Sequence, residues 1–146
     1  MKKIILAAFA LVCSLGLFAN DPGVSEKVLD AFNKTFQNAE EVSWSEAGEN
    51  SFEVKFKQNE ISSRVYYDKD GIILKTYRYY HEQQLPLMIL SKVKSRYAEK
   101  SIFGVVEVSS DEGTTYHITL EDEKHWTLIK ADNFGAITVD KKFRKG

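Results

Sequence analysis

Two stretches of the chain carry apolar side chains at helical spacing, and short runs of alternating apolar and polar residues follow each of them. The two stripes consist of Val28, Phe32 and Phe36 and, 61 residues later, of Ile89, Val93 and Tyr97. An apolar residue at every fourth position over about three turns is typical of a helix that buries one side. Pro86 precedes the second stripe and suits the first turn of a helix. The pattern therefore predicts two amphipathic helices.

The alternating runs repeat at a constant distance along the sequence, which indicates an internal duplication. Residues 52–56 match residues 116–120 at an offset of 64, and the turn at 68–71 matches residues 132–135 at the same offset. The change from 61 to 64 indicates three additional residues in the second copy, which we place in the loop at 109–113. Tyr79 matches Phe143 at the offset of 64 as well, so three independent registers agree, and they define repeats at about residues 24–81 and 85–144.

Each repeat is predicted to contain one helix followed by four strands joined by short, Gly-, Asn- and Asp-containing hairpins. The predicted strands are residues 42–45, 51–57, 62–68 and 72–80 in the first repeat and 105–109, 114–121, 125–132 and 136–143 in the second. Two antiparallel meanders side by side give one sheet of about eight strands. We therefore predict an α+β fold with both helices on one face of the sheet and the other face open.

Strict alternation along the strands, combined with the offset of 64, predicts which side chains face the helices. The residues placed on the helix side are Val65, Tyr67, Ile73, Tyr77, Tyr79, Ile129, Ala131, Ile137, Val139 and Phe143. Those placed on the open side are Arg64, Tyr66, Ile72, Leu74, Thr76, Arg78, His117, Trp126, Leu128, Lys130, Thr138, Asp140 and Lys142.

Six residues of the open side form an apolar and aromatic cluster that is a candidate partner-binding site. They are Arg64, Tyr66, Ile72, Leu74, Trp126 and Leu128. A solvated sheet face is normally polar, whereas Trp, Tyr and Arg side chains dominate the binding energy of many interfaces. Two alternatives to a binding site stay open. The register could be displaced by one residue, which would send these side chains into the core, or a loop or chain terminus could cover them.

Several of these segments together resemble the PepSY-like family, small exported bacterial proteins similar to β-lactamase inhibitory protein. The resemblance rests on the helical Phe32 and Phe36, the segment 42–44, the turn 66–71 and Leu85-Pro86 at the start of the second helix. It implies a tandem helix-plus-strands fold, a periplasmic or surface location, and inhibition of an enzyme as one function. It supplies no catalytic residues.

The first residues have the composition of a signal peptide. Lys2 and Lys3 precede an apolar run that ends near Ala19, too short for a membrane span, so we predict cleavage after residue 19. Lipid anchoring through Cys13 is disfavoured, because Val12 is not the small residue expected before a lipidated cysteine. The exported part, residues 20–146, is predicted to be a single domain that has no cysteine and does not span a membrane.

Charge and motifs narrow the function further. The chain has 20 basic and 21 acidic residues, so it offers no field of one sign for nucleic acid. No activated nucleophile, phosphate-binding glycine loop or metal-ligand spacing is recognisable, and we predict neither an enzyme nor a cofactor. His81, His117 and His125 lack the spacing of a zinc motif. The segment 68–71 is interpreted as a hairpin turn rather than a calcium loop.

The leading hypothesis is a non-catalytic binding module of the bacterial cell envelope that recognises a protein or peptide through the open sheet face. One alternative is an inhibitor of a periplasmic enzyme such as a β-lactamase or peptidase. A second is a metal-dependent or hydrolytic enzyme that uses His81, His117 or His125. A third is a structural component whose open face is covered by another copy of the same chain.

Overall fold

The computed structural model describes residues 23–146, in which each half of the chain forms one helix followed by four strands. The elements of the first half are α1 (Glu26–Thr35), β1 (Glu40–Gly48), β2 (Ser51–Gln58), β3 (Ile61–Asp68) and β4 (Ile73–Tyr80). A 3-10 helix (Glu82–Gln84) leads to α2 (Leu87–Arg96), β5 (Ser101–Ser110), β6 (Gly113–Glu121), β7 (His125–Asp132) and β8 (Ile137–Arg144). The predicted signal peptide lies outside the described residues.

All eight strands belong to one antiparallel sheet in which each strand pairs with its neighbour in the sequence, from β1 to β8. This meander, with two helices packed on one of its faces, confirms the predicted α+β fold. Between residues 23 and 146 no helix has the length and apolar character needed to cross a membrane.

Local sequence explains where the helices and two of the turns begin. The Ser25 hydroxyl caps α1 by accepting a hydrogen bond from the Val28 amide, and Pro86 precedes α2. Asp68 closes the turn before β4 by accepting hydrogen bonds from the amides of Asp70 and Ile72. The Asp132 carboxylate does the same before β8. Because backbone amides occupy the Asp68 oxygen, residues 68–71 form a turn of the Asx type.

Each helix covers its own apolar core. The stripe of α1 packs with the inward side chains of β2 and β3, among them Val54 and Val65. The stripe of α2 packs with β5, β6 and β7, and this second core also takes Tyr80 from β4. Val65, Tyr67, Ile129 and Ala131 are buried on the helix side, as predicted.

The predicted alternation is wrong in parts of β4 and β8 because each strand contains a bulge. The partner of Tyr66 is Lys75, but the partner of Tyr67 is Ile73, so Leu74 is an additional residue in β4. In β8 the additional residue is Asp140, between the partners of Leu128 and Ile129. One extra residue reverses the side of every position beyond it.

The bulges exchange side chains between the two faces of the sheet, because residues directly opposite in neighbouring strands share a face. Tyr77 pairs with Arg64 and Phe143 with Trp126, so both aromatic rings lie on the open side rather than against the helices. Tyr79, predicted inward, also lies on the open side. Three residues predicted outward lie on the helix side, namely Thr76 and Arg78 in β4 and Lys142 in β8.

On the helix side, the boundary between the two halves is polar. Arg78 Nη1 lies 3.1 Å from Glu107 Oε1, and the Tyr80 hydroxyl donates a 2.6 Å hydrogen bond to Glu107 Oε2. Burial, with this hydrogen bond, raises the pKa of Tyr80. The polar pair lies between the two apolar cores and adds a side-chain contact between β4 and β5.

Candidate functional site: the open face of the sheet

The sheet surface turned away from the helices, here called the open face, carries aromatic and aliphatic side chains, together with Arg64 and His117, on strands β3 to β8. Its central members are Arg64 and Tyr66 on β3, Tyr77 and Tyr79 on β4, Val106 and Val108 on β5, His117 on β6, Trp126 and Leu128 on β7, and Phe143 on β8. Most of them are half-buried by their neighbours. The face is therefore continuous across both halves of the chain.

The structure distributes the six predicted site residues over three places. Arg64 and Tyr66 lie on the open face in β3, and Trp126 and Leu128 lie on it in β7. Four strand spacings of ~4.8 Å separate the two pairs, so they do not touch each other. Leu74 lies at the bulge and is 47% exposed, whereas Ile72 precedes β4, in the turn, and is 62% exposed.

The strands between these two pairs supply residues that the sequence analysis did not include in the site. They are Tyr77, Tyr79, Val106, Val108 and His117. Uninterrupted alternation put both tyrosines on the wrong side. Tyr79 and Tyr80 are consecutive in the sequence, so their side chains point to opposite faces of the strand and only one of them can enter the core. This pair was the one signal in the sequence that a tyrosine of β4 lies on the open face.

A charged network organises the first half of the open face around Glu53, a carboxylate that is only 9% exposed. The Tyr66 hydroxyl donates a 2.5 Å hydrogen bond to Glu53 Oε2, Lys55 Nζ lies 3.0 Å from Oε1, and Arg64 Nη1 lies 3.8 Å from Oε2. Burial raises the pKa of Glu53, but the hydrogen bond from Tyr66 and the two cations outweigh it and lower the pKa. Glu53 is therefore ionised at neutral pH, and its partners are fixed around it.

The rings of this half contact one another across the strands. Tyr66 and Tyr77 meet edge to face with their centroids 5.9 Å apart, and Lys75 Nζ lies 5.2 Å from the Tyr77 centroid. The hydrogen bond to Glu53 is the largest contribution that raises the pKa of Tyr66, followed by burial. The phenol therefore stays protonated and keeps its ring in place.

Trp126 is the centre of a second aromatic cluster at the other end of the face. Phe103 packs edge-on against its ring at a centroid distance of 4.8 Å, and Lys145 Nζ lies 4.4 Å from the ring centroid. Lys145 also contacts Glu121 at 2.8 Å, and Phe143 lies opposite Trp126 in β8. The indole is held from several sides, which lowers the conformational entropy that it would lose on binding a partner.

His117 lies between the two clusters, on β6. It pairs with Val106 on one side and Lys130 on the other. Burial, and then the charge of Lys130, lowers the pKa of His117 below its ordinary value of 6.5. The imidazole is therefore neutral at pH 7.

The described residues do not assemble a recognisable catalytic centre. His81 lies beside the Phe103 carbonyl oxygen, His125 lies beside Asp122, and His117 stands on the open face. In the part of the chain that the structure describes, no three His, Cys, Asp or Glu side chains come close enough to hold a metal ion. What the arrangement offers is a broad surface with ordered aromatic rings and paired charges.

Comparison with known proteins adds structural relatives. No protein-family model matches the chain, and no curated protein matches it in sequence. Among solved structures, a BLIP-like protein from Bacteroides fragilis superposes with a TM-score of 0.63 and 21% identity, covering 84% of this chain and 88% of its own. The fold is BLIP-like.

Two further structures share the BLIP-like fold. A candidate periplasmic protein from Bacteroides eggerthii gives a TM-score of 0.61 at 15% identity, covering 83% of this chain and 88% of its own. A DUF2874 family protein from Bacteroides uniformis gives 0.60 at 14% identity, covering 82% and 88%. None of these proteins is described as an enzyme, and identities this low establish the fold alone.

Proposed function

We propose that this protein is a non-catalytic binding module of the bacterial cell envelope that recognises a protein or peptide through the open face. The observation that carries the proposal is the row of ordered aromatic rings on the solvated side of the sheet, where polar side chains are the rule. The predicted signal peptide and the likeness to a candidate periplasmic protein support a location outside the cytoplasm.

The open face is large enough for such a role. Eight strands at spacings of ~4.8 Å, each with about eight residues at ~3.3 Å, give a surface of roughly 900 Å². A stable interface buries about 800 Å² on each partner. The sheet therefore provides the necessary area without a rearrangement of the fold.

The chemistry of the face also fits recognition. Tyr77, Trp126 and Phe143 present large apolar areas, and aromatic residues of this kind are enriched among those that dominate interface energies. Glu53 and Arg64 form an ion pair on the same face, in which Glu53 is buried and Arg64 is half-buried. A partner would meet an apolar centre with fixed polar groups beside it, as in the anatomy of known interfaces.

Affinity capture from an envelope extract tests the proposal with three variants. Tyr77→Ala and Trp126→Ala each remove a ring from the open face, whereas Phe134→Ala removes an exposed ring from the β7–β8 turn beside α2. The protein and its Phe134→Ala variant should retain the same partner, and the two open-face variants should lose it. If no specific partner is retained, or if all three variants behave alike, the proposal is wrong.

Enzyme inhibition is a second candidate, favoured by the likeness to a BLIP-like protein. An inhibitor would lay the open face over a target such as a β-lactamase or peptidase and anchor it with its aromatic rings. Titration of the protein against several purified class A β-lactamases at micromolar concentration checks this directly. An absence of inhibition removes this candidate and leaves the binding-module proposal standing.

Self-association is a third candidate function, in which another copy of this chain covers the apolar face. Light scattering at micromolar concentration distinguishes it from the recognition of another protein. A stable dimer that Trp126→Ala weakens would assign the face to a second copy of this chain, whereas a monomer leaves the face free for a different partner.

A further inference from the structure

A groove of about 640 Å³ lies at one end of the open face, where β4 ends and β5 begins. Gly104 and Val106 line it in β5, Tyr79 and Phe103 contribute aromatic rings, and Glu60 stands in the β2–β3 turn. We call it the Gly104 groove. Its volume is in the range of clefts that bind small ligands.

The groove exists because one strand position has no side chain. Gly104 pairs with Thr119 on the open face, and a Cβ placed on it would meet nothing within 4 Å. Its φ lies outside the region that favours glycine, so the backbone does not require glycine here. Glycine inside a strand weakens the strand and often marks the close approach of a ligand or another backbone.

Two aromatic side chains form walls of the groove. Tyr79 is 38% exposed and Phe103 is 56% exposed. The Phe103 ring packs against Trp126, and His81 Nδ1 lies 3.3 Å from the Phe103 carbonyl oxygen. The faces of such rings attract cations.

The charge at the groove is acidic. Glu60 is the one carboxylate among the lining residues, which include no lysine or arginine. The cations beyond Tyr79 are already paired, Lys55 and Arg64 with Glu53 and Lys57 with Glu41. Glu60 itself forms no ion pair with any residue of the described chain. The groove therefore offers an uncompensated negative charge beside two aromatic rings.

Glu60 also has an unfavourable backbone conformation. It follows Asn59 in a two-residue hairpin turn, and the φ angles of the two residues are 50° and 66°. Left-handed backbone is common for asparagine and glycine in such turns but is costly for glutamate. A residue kept in a costly conformation beside a groove is a reason to look for a function of its side chain.

We propose that the Gly104 groove binds a lysine or arginine side chain of the recognised protein or peptide. The alkyl stem would lie over Gly104 and Val106, and the cation would contact the rings of Tyr79 and Phe103 and the carboxylate of Glu60. This inference rests on the proposed function, because it names the chemistry that one end of the open face selects.

Nuclear magnetic resonance titration of the ¹⁵N-labelled protein tests the groove with blocked tripeptides. The probes are acetyl-Gly-Arg-Gly-amide and acetyl-Gly-Lys-Gly-amide, compared with the same peptide carrying citrulline, leucine or glutamate in the middle. We expect saturable shifts at the amides of Gly104 and Thr119 for the two basic peptides, and at least about threefold weaker binding of the citrulline peptide.

Three variants locate the binding. Glu60→Gln should weaken the arginine peptide about threefold, and Tyr79→Leu should do so by a similar factor. Gly104→Leu fills the groove and should abolish binding, while an unchanged thermal midpoint and amide spectrum elsewhere show that it still folds. If Gly104→Leu does not fold, Gly104→Ser, which adds a smaller side chain, replaces it in the same binding measurement.

Several outcomes would overturn the inference. Equal binding of the citrulline or leucine peptide would show an apolar groove without charge selection. Shifts that avoid Gly104, or that survive Gly104→Leu, would place the basic peptide elsewhere. If these results contradict the groove proposal while Tyr77→Ala still abolishes partner capture, only the groove proposal is wrong, and the proposed binding function of the open face stands.

Discussion

Replacing Tyr66 with phenylalanine removes one hydroxyl, and that hydroxyl donates a 2.5 Å hydrogen bond to the Glu53 carboxylate. A hydrogen bond to a charged group contributes about 1.5–3 kcal/mol to stability. Glu53 is 9% exposed, so water cannot fully replace the lost donor. We therefore expect Tyr66→Phe to lower the free energy of unfolding by about 2 kcal/mol. For a domain of this size that corresponds to a fall in Tm of roughly 8 °C.

The matched control is the same substitution on the neighbouring strand. The Tyr77 ring contacts Tyr66 at a centroid distance of 5.9 Å, but its hydroxyl donates no hydrogen bond to another described residue. Tyr77→Phe should therefore change the free energy of unfolding by less than about 0.5 kcal/mol. Urea denaturation followed by circular dichroism measures both variants.

The cost of Tyr66→Phe should also depend on pH. The hydrogen bond and the nearby cations outweigh burial and hold the folded pKa of Glu53 below its ordinary value of 4.5. A carboxylate with a lowered pKa contributes its stability above the unfolded value, and this stability disappears as the pH falls through the folded value. The difference between the protein and Tyr66→Phe should be complete at pH 7 and shrink below about pH 4.5. A cost equal to that of Tyr77→Phe, or one unchanged between pH 7 and pH 3, would refute this account.

Three further predictions concern single positions. Gly71→Ala should destabilise the fold by about 1 kcal/mol more than Gly135→Ala, as measured by urea denaturation. A Cβ at Gly71 would lie 2.9 Å from the rigid Lys27 carbonyl oxygen, whereas a Cβ at Gly135 would meet only the flexible side chain of Lys92. Equal costs would contradict this. Glu60→Gly should raise the free energy of unfolding by about 1 kcal/mol through relief of left-handed backbone, and a loss of stability would contradict it. The His117 ring should titrate with a midpoint below 6.5 in a ¹H NMR titration, and a higher midpoint would be inconsistent with its burial.

The helices and the hairpin turns could be predicted because their causes are local. Val28 and Phe32 mark the buried side of α1 by their spacing alone. Asp68 and Asp132 close their turns with their own carboxylates, which act on amides two and four residues away. Interactions between residues only two to four positions apart can be recognised in a single sequence.

The faces of β4 and β8 could not be predicted in the same way. A bulge is determined by how two strands pair, and the pairing of Tyr67 with Ile73 is not written into either strand separately. The offset of 64 did not reveal the error either. Both repeats contain a bulge, so Tyr79 and Phe143 move to the open face together and their correspondence is preserved.

Two parts of the candidate site, Glu53 and the Gly104 groove, escaped prediction for a different reason. Glu53 looks like an ordinary outward residue of an alternating strand, and its burial depends on Tyr66 and Arg64 from the next strand. The predicted strand in the second repeat begins at residue 105 and so leaves Gly104 outside the sheet, where its missing side chain has no consequence. The groove becomes visible only when β4 and β5 lie side by side.

The two halves of the protein have separate apolar cores but a common open face, and the β4–β5 ladder explains how this is stable. On the helix side the ladder carries Arg78 and Glu107, whose pairing occupies the position between the two cores. On the opposite side the same ladder pairs Tyr77 with Val108 and Tyr79 with Val106. The ladder thus combines a polar contact on its helix side with a continuous row of apolar and aromatic side chains on its open side. A surface assembled in this way is preorganised, so binding a partner would require little further ordering of the protein.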